Sequence, residues 1–360
     1  NQWDSLNFDF HQSEVKSFLL SNAYFWFKEY HVDGLRVDAV SNIIYLDHAS
    51  QTDKKLTNKY GGRENLEGIN FLKQLNEVIF EDFPGGLMIA EESTTFPRIT
   101  GPTYLGGLGF NYKWNLGWMN DVLEYMEMDP VYRKWHHNEM TFSFMYTFSE
   151  NFILPLSHDE VVHGKKSLLD KMPGDYWQKF ANLRDLYAYM YAHPGKMLVF
   201  MGGEFGQFIE WNYQQELDWF LLDYDMHHKM QKYVADLNEF YQNQESLWKF
   251  DHEDQGFEWI DPNNQEHSII SFMRKSENDY VIIISNFTPE YFGDYNVGVP
   301  ELKNYKEVFN SDLEKYGRSG KTNQGIIEAQ SQKWNNQPFL INIQIPPLST
   351  IFLKPVNENK

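Results

Sequence analysis

Three acidic residues follow apolar, strand-like segments of the sequence. Asp38 comes after "GLRV", Glu91 comes after "LMIA", and Asp159 follows "FILPLSH". Two carboxylates on either side of one bond are what the cleavage of a glycosidic link requires. One attacks or stabilises the anomeric carbon, and the other protonates the departing oxygen. The chemistry that these residues suggest is therefore glycoside cleavage, provided that the strands bring them together.

Arg36 stands two positions before Asp38. In an extended strand, alternate side chains share a face, so Arg36 and Asp38 point one way and Leu35, Val37 and Ala39 the other. When such an arginine and aspartate occur without other motifs, they usually form a structural ion pair. If the pair is catalytic, the arginine keeps Asp38 ionised and lowers the pKa of its carboxyl.

Glu91 is expected in different surroundings. It follows Ile89 and Ala90 in an apolar strand, so desolvation would raise the pKa of its carboxyl towards the working range of a general acid. Glu92 is the competing candidate for the acid.

The elements that must position these residues alternate up to about residue 250. Apolar strand-like runs follow segments with helical periodicity, the first of which covers residues 13–31 with Ser13 as its N-cap. The five predicted strands lie near residues 33–40, 87–92, 109–115, 152–159 and 197–204. Polar residues at the ends of such strands are typical of a parallel α/β sheet or a (β/α)8 TIM barrel, whose chemistry lies at those ends.

Beyond residue 250 the sequence consists of short strands separated by turn signals, which predicts an antiparallel β-sandwich of roughly 100 residues. The expected organisation is α/β, with a barrel-type catalytic domain over residues 1–250, of which about five β/α units are visible, and an all-β sandwich domain over residues 251–360.

The amino-acid composition limits the classes of molecule that the chain is expected to bind. The net charge of -20 disfavours nucleic acid and anionic membranes, and it is compatible with a neutral polar substrate. The chain has no cysteine, which excludes thiolate chemistry and fits a cytoplasmic location. No apolar run is long enough to span a membrane. The 11 Trp, 22 Tyr and 28 Phe belong either to an aromatic-rich core or, in part, to a groove for sugar rings.

Three segments together carry a resemblance to a known family. "DGLRVDAVS", "MIAEES" and "LPLSHDEVVHGK", in that order, resemble signature regions of the α-amylase superfamily, and in detail those of the glycogen (1,4-α-glucan) branching enzymes. Segments such as "KMPGDYWQKFANLR" and "HPGKMLVFMGGEFGQFIEWN" resemble the same family. The resemblance covers essentially the whole chain.

The resemblance implies a role for each residue. Asp38 is the nucleophile that forms a covalent glucosyl-enzyme, Arg36 supports it, and Glu91 is the general acid/base. Asp159 and His158 bind sugar hydroxyls and stabilise the transition state. The reaction would be retaining, with the two reacting carboxyl groups about 5–5.5 Å apart. The cut α-1,4-glucan segment would pass to a 6-hydroxyl and form an α-1,6 branch in glycogen.

Further residues are assigned more loosely. Tyr60, Trp114 and Trp211 are candidate sugar platforms. The segment "WHHNE" (135–139) contains potential metal ligands, but a solvated helix or loop is the favoured interpretation. No cofactor and no metal are expected, and no calcium site is identifiable.

The sequence also departs from the pattern of this family. Five strand units are visible where the family has eight, and neither the family's first signature region nor its N-terminal β-sandwich is found in this sequence. The chain is therefore expected to be a C-terminal portion that is inactive alone or needs the missing N-terminal part as a partner. The expected substrate is an α-1,4-glucan such as glycogen or amylose. The alternatives are an α-amylase-type or debranching hydrolase and a truncated, non-catalytic glucan-binding fragment.

Overall fold

Helices and strands alternate through the first 250 residues, and strands dominate the remainder. A computed structural model describes residues 6–48, 56–317 and 319–356. The described helices are α1 (Ser13–Tyr30), α2 (Val40–Ile44), α3 (Leu66–Asp82), α4 (Leu116–Glu127), α5 (His137–Thr141), α6 (Leu168–Lys171), α7 (Tyr176–Ala192) and α8 (Asp225–Asn243). The parallel strands are β1 (Gly34–Val37), β2 (Leu87–Ala90), β3 (Tyr112–Trp114), β4 (Phe152–Leu156) and β5 (Lys196–Val199).

The five predicted strands are all present, although each is shorter than predicted. The first helix begins at Ser13, as its periodicity indicates, but the predicted N-cap is wrong. Gln12 is the N-cap, with an extended backbone and no side-chain capping bond. Ser13 is already helical and its hydroxyl donates to Glu14 Oε2 at 3.0 Å instead.

Contacts divide the chain into two units. The first unit comprises residues 1–117 and 146–153. Within it β1 pairs with β2, β2 with β3 and β3 with β4, all in parallel. Its core lies between this sheet and the helices α1, α2 and α3, and includes Phe27, Val40, Leu72 and Met88. Because parallel strands end at the same edge of a sheet, residues that follow β1 and β2 become neighbours.

The second unit comprises residues 118–145 and 154–360. There the end of β4 meets the segment that follows β5, where the Phe200 N–H donates to the Leu156 carbonyl at 2.9 Å. The parallel strands follow the order β1-β2-β3-β4-β5. Within this unit α7 is buried along most of its length, and the Thr350 hydroxyl joins it to the following all-β region by donating to Asp185 Oδ1 at 2.7 Å.

The C-terminal strands are antiparallel, as predicted. They are β6 (Phe257–Asn264), β7 (Ile269–Lys275), β8 (Tyr280–Asn286), β9 (Phe292–Val299), β10 (Asn304–Asn310), β11 (Ile327–Glu328), β12 (Phe339–Ile345) and β13 (Ser349–Pro355). Six of them form a sheet in the order β11-β10-β13-β8-β7-β6, and β12 pairs with β9. Isoleucines from both sheets, among them Ile282, Ile341 and Ile351, form the core of this region. A domain boundary near residue 250 stays a prediction.

Candidate active site

The turn after β1 positions the first candidate residues. The strand ends at Val37, so Asp38 and Ala39 lie outside it, and Ala39 adopts a left-handed φ of 48°. A left-handed conformation is costly for a residue with a Cβ, and it persists where surrounding contacts hold it. Here the Ala39 N–H donates to Glu91 Oε2 at 2.5 Å. The turn thereby ties the end of β1 to the residue that follows β2.

Arg36 joins the two predicted carboxylates. Its Nη1 donates to Asp38 Oδ1 at 2.6 Å, and its Nη2 lies 3.6 Å from Glu91 Oε2. The guanidinium also packs over the ring of Trp114, 4.4 Å from the ring centroid. A guanidinium that packs against an aromatic ring presents its N–H groups in a fixed plane. Three neighbouring strands therefore contribute to one cluster, which we call the Arg36 cluster: Arg36, Asp38, Glu91 and Trp114.

The two carboxylates of the Arg36 cluster have different surroundings. The side chain of Asp38 is 76% exposed, whereas that of Glu91 is 22% exposed. The solvent-facing carboxylate is the one that the resemblance assigns as nucleophile, and the half-buried one is the assigned acid/base. The expected order of their pKa values stays a prediction.

Glu92 occupies a site of its own beneath the cluster. Its side chain is fully buried, and Oε2 lies 2.5 Å from Lys113 Nζ. Oε1 accepts bonds from the Ser41 hydroxyl at 3.0 Å and from the Thr94 N–H at 2.7 Å. A carboxylate that is held in this way cannot reach a substrate, so the geometry favours Glu91 over Glu92 as the acid.

Two of the proposed platforms in the first unit have contrasting surroundings. Trp114 is 5% exposed and one face of its ring carries Arg36, so here it supports the arginine and presents no open face to a sugar. Sequence reasoning missed this because the arginine comes from a different strand. Tyr60 is 79% exposed in the segment before α3, and its N–H donates to Asn58 Oδ1 at 2.9 Å.

The second unit brings together another group of predicted residues. His158 and Asp159 form a short turn directly after β4, and their side chains lie 3.3 Å apart, from Nε2 to Oδ1. The Ser157 hydroxyl accepts a bond from the Asp159 N–H at 3.3 Å. The ring of Trp211 lies edge-on to His158, with centroids 6.2 Å apart, and it also contacts Phe200 at 5.0 Å. The turn and its aromatic neighbours therefore form one surface of this unit.

Glu210 was missed by the sequence analysis. Its carboxylate accepts bonds from the Gly164 N–H at 3.1 Å and from the Lys166 N–H at 2.5 Å. These two donors hold the pKa of Glu210 below its usual value. Because His163 and Lys166 both have positive φ angles, the loop after Asp159 depends on such a contact. A lone glutamate before Trp211 forms no motif that could have indicated this role.

The segment "WHHNE" has no metal-binding arrangement. Its His136 pairs with Glu139 at 2.6 Å, and the ring of His137 is buried with Nε2 2.8 Å from the Pro262 carbonyl. The favoured prediction of a solvated segment is thus wrong for His137. Over residues 6–48, 56–317 and 319–356, no group of three or more His, Asp or Glu side chains is arranged to hold a metal ion. Within those same residues no helix is both long and apolar enough to cross a membrane.

Comparison with known proteins identifies the relatives of this chain. The 1,4-alpha-glucan branching enzyme GlgB of Halothermothrix orenii is 69% identical over 360 residues, which cover 99% of this chain and 57% of that protein. The GlgB of Aquifex aeolicus is 53% identical, over 98% of this chain and 56% of that protein. The chain is similar to the 1,4-alpha-glucan branching enzymes over nearly its whole length. It spans about half the length of the curated relatives that it matches.

The remaining comparisons concern the fold. Residues 259–356 match the family described as "Alpha amylase, C-terminal all-beta domain". The structure superposes on an alpha-amylase from H. orenii with a TM-score of 0.62 and 14% identity, over 97% of this chain and 66% of that chain. A debranching enzyme from Nostoc punctiforme gives a TM-score of 0.65 and 14% identity, over 97% of this chain and 63% of that chain. The prediction of about five barrel units followed by an all-β domain is confirmed.

Proposed function

We propose that this protein catalyses the branching of α-1,4-glucans such as glycogen or amylose, with retention at the anomeric carbon. The observation that carries the proposal is the Arg36 cluster. One guanidinium contacts the carboxylates of Asp38 and Glu91 at the ends of two adjacent parallel strands. The names of the similar proteins support the same activity. We also propose a cytoplasmic location, which the absence of cysteine supports.

In the first step Asp38 attacks the anomeric carbon, the glycosidic C–O bond breaks, and Glu91 gives its proton to the departing 4-oxygen. In the second step Glu91 takes the proton of a 6-hydroxyl, whose oxygen displaces Asp38 and forms the α-1,6 link. Arg36 donates to Asp38 Oδ1 and so holds the attacking carboxylate in a fixed position. Under this proposal Asp159 and His158 bind sugar hydroxyls, and Tyr60 and Trp211 contact sugar rings.

The proposal includes a partner. Among the described strands β1 pairs only with β2, so no described strand lies along its other edge. Beside it, α1 exposes the large aromatic side chains of Phe18, Phe25, Trp26 and Tyr30. We propose that activity requires polypeptide that completes the sheet at this edge, corresponding to the part of the relatives that this chain does not span.

Incubation with amylose tests the activity, with counts of new α-1,6 links and of free reducing ends. The chain is assayed alone and together with the uncovered part of the H. orenii relative. We expect branches only in the mixture. Branching at full rate by the chain alone would contradict the partner proposal, and reducing ends without new branches would indicate a hydrolase. Glucan binding without either product would indicate a non-catalytic fragment.

Substitutions in this chain, assayed in the same mixture, test the mechanism. Asp38→Asn and Glu91→Gln should each abolish transfer while glucan binding persists. Glu81→Gln is the matched control, because it makes the same change at an exposed carboxylate near the end of α3. An active Asp38→Asn variant would refute the assignment of the nucleophile.

A further inference from the structure

A tryptophan at the end of β3 lies within the Arg36 cluster but has no role in the mechanism proposed above. The three strands are aligned so that Val37 pairs with Ala90 and Ala90 with Lys113. The residues that come next, which form one row at the carboxyl edge of the sheet, are Asp38, Glu91 and Trp114. The guanidinium carbon of Arg36 lies 4.4 Å from the centroid of the Trp114 ring. The arginine of β1 therefore reaches across β2 to the tryptophan of β3.

The contact between Arg36 and Trp114 is largely shielded from water. Trp114 is buried, and the side chain of Arg36 is 25% exposed. By contrast, Asp38, which accepts from Arg36 Nη1 at 2.6 Å, has an exposed side chain. An exposed ion pair holds its side chains only weakly because solvent screens it, whereas a partly desolvated cation is attracted more strongly to an aromatic ring. The ring is therefore a firmer support for the guanidinium than the Asp38 carboxylate is.

The proposed reaction moves a negative charge past Arg36. In the first step Asp38 forms a bond to the anomeric carbon and becomes a neutral ester, while Glu91 gives up its proton and becomes a carboxylate. The second step reverses both changes. Because Glu91 Oε2 lies 3.6 Å from Arg36 Nη2, the same guanidinium faces the charge before and after its transfer. The guanidinium must therefore keep its place when Asp38 no longer attracts it.

The aromatic face of Trp114, and not its polar group, is suited to this support. The buried indole N–H of Trp114 donates to no acceptor within the part of the chain that the structure describes. The π-face attracts the cation without using the N–H groups of the guanidinium, so these remain directed at the carboxylates in the guanidinium plane. A phenylalanine at this position would keep the attraction and would break no hydrogen bond.

We propose that Trp114 is a positioning residue that acts through Arg36. Its ring holds the guanidinium in the plane from which the N–H groups face Asp38 before the charge transfer and Glu91 after it. The inference rests on the proposed function for the identity of the reaction. An aromatic side chain at position 114 should therefore preserve the rate, and an aliphatic side chain should lower the rate without weakening substrate binding.

Branching kinetics in the mixture with the uncovered part of the H. orenii relative test the proposal. The kcat of Trp114→Leu should fall about tenfold with KM unchanged, and Trp114→Phe should retain most of the rate. Phe27→Leu is the matched control, since it removes a similarly buried ring from the core of the same unit, and its kcat should equal that of the parent.

A double variant distinguishes positioning from a general structural role. In the Arg36→Met background Trp114→Leu should cause no further loss of kcat, because the ring acts through the arginine. Losses that multiply in the double variant overturn the inference, and so does a mixture in which Trp114→Leu and Phe27→Leu branch amylose at the same rate.

A nuclear magnetic resonance measurement on the chain alone separates this inference from the proposed function. The chain has seven arginines, so isotopic labelling of arginine nitrogen gives few guanidinium signals, and the signal of Arg36 is the one that Arg36→Met removes. The ring current of an aromatic side chain shifts the signals of a group above its face upfield. The Arg36 signal should be shifted in the parent chain, in Trp114→Phe and in Phe27→Leu, and the shift should be lost in Trp114→Leu.

This pattern supports the positioning of Arg36 by Trp114 even if the mixture forms no branches, in which case only the proposed function fails. An Arg36 signal without an upfield shift in the parent chain overturns the inference, and that measurement does not depend on whether any Trp114 variant folds. A shift that persists in Trp114→Leu overturns it as well.

Discussion

Replacement of Lys113 by methionine should strongly destabilise the first unit. Lys113 is 8% exposed at its side chain, and its Nζ lies 2.5 Å from the fully buried carboxylate of Glu92. It also donates to the Thr94 carbonyl at 2.9 Å. Methionine fills a similar volume but leaves the carboxylate without its counter-charge. Removal of one partner from a buried ion pair costs about 3–5 kcal/mol of unfolding free energy.

A double-mutant cycle measures the interaction energy between Lys113 and Glu92 separately from the other effects of each substitution. Glu92→Gln keeps an oxygen that can accept from Ser41 and Thr94 but leaves the lysine charge buried. With both changes present neither charge is uncompensated, so the double variant should lose less than the sum of the single losses by about 2 kcal/mol. Urea unfolding followed by hydrogen exchange in peptides that cover β2 and β3 measures these values for the first unit.

The control for this cycle is Lys28→Met on the exposed side of α1, where the change should stay within about 0.5 kcal/mol. A loss below about 1 kcal/mol for Lys113→Met would refute the reasoning, because it would mean that solvent reaches the pair. Strictly additive single losses would refute it as well, since they would show that the two charges do not interact.

Three further predictions concern other contacts. Arg36→Met should lower the transfer rate about 10²-fold in the reconstituted mixture while glycogen affinity persists, because Asp38 and Glu91 lose the cation that they share. An unchanged rate would exclude a positioning role for Arg36. Burial lowers the pKa of His193 to about 3, whereas the unfolded chain binds that proton near pH 6.5. The unfolding free energy should therefore fall by about 1.4 kcal/mol per pH unit from pH 6 to pH 4 through this residue. His193→Gln should remove that part of the slope in urea titrations, and an identical slope would contradict the assignment. Glu210→Ala should speed proteolysis of the loop over residues 163–167 at pH 7, since its carboxylate, with a lowered pKa, accepts two backbone bonds there. The difference from the parent chain should shrink as the pH falls and Glu210 takes up a proton, and a loop equally resistant in both proteins would count against this role.

Much of the first unit follows from local patterns. Apolar runs of strand length after amphipathic helices predict parallel strands, and the residues at their ends then share an edge. Asp38 and Glu91 could be found in this way because each directly follows its strand. The antiparallel character of the C-terminal region was equally readable, since turn signals separate its strands without intervening helices.

Other assignments depend on contacts between distant segments. Glu91 and Glu92 are equivalent in the sequence, and only the approach of Lys113 from β3 buries the second and leaves the first beside Arg36. From the sequence, Trp114 is a candidate sugar platform. In the structure, Arg36 from β1 covers one face of its ring.

The sequence by itself determined which residue types stand at the strand ends and that the strands are parallel, because both depend on short-range periodicity and on residue chemistry. The tertiary structure alone decided which of those side chains face solvent, which are neutralised in the interior and which surface rings remain open. Burial and charge pairing are properties of segments that the fold brings together, and no local spacing encodes them.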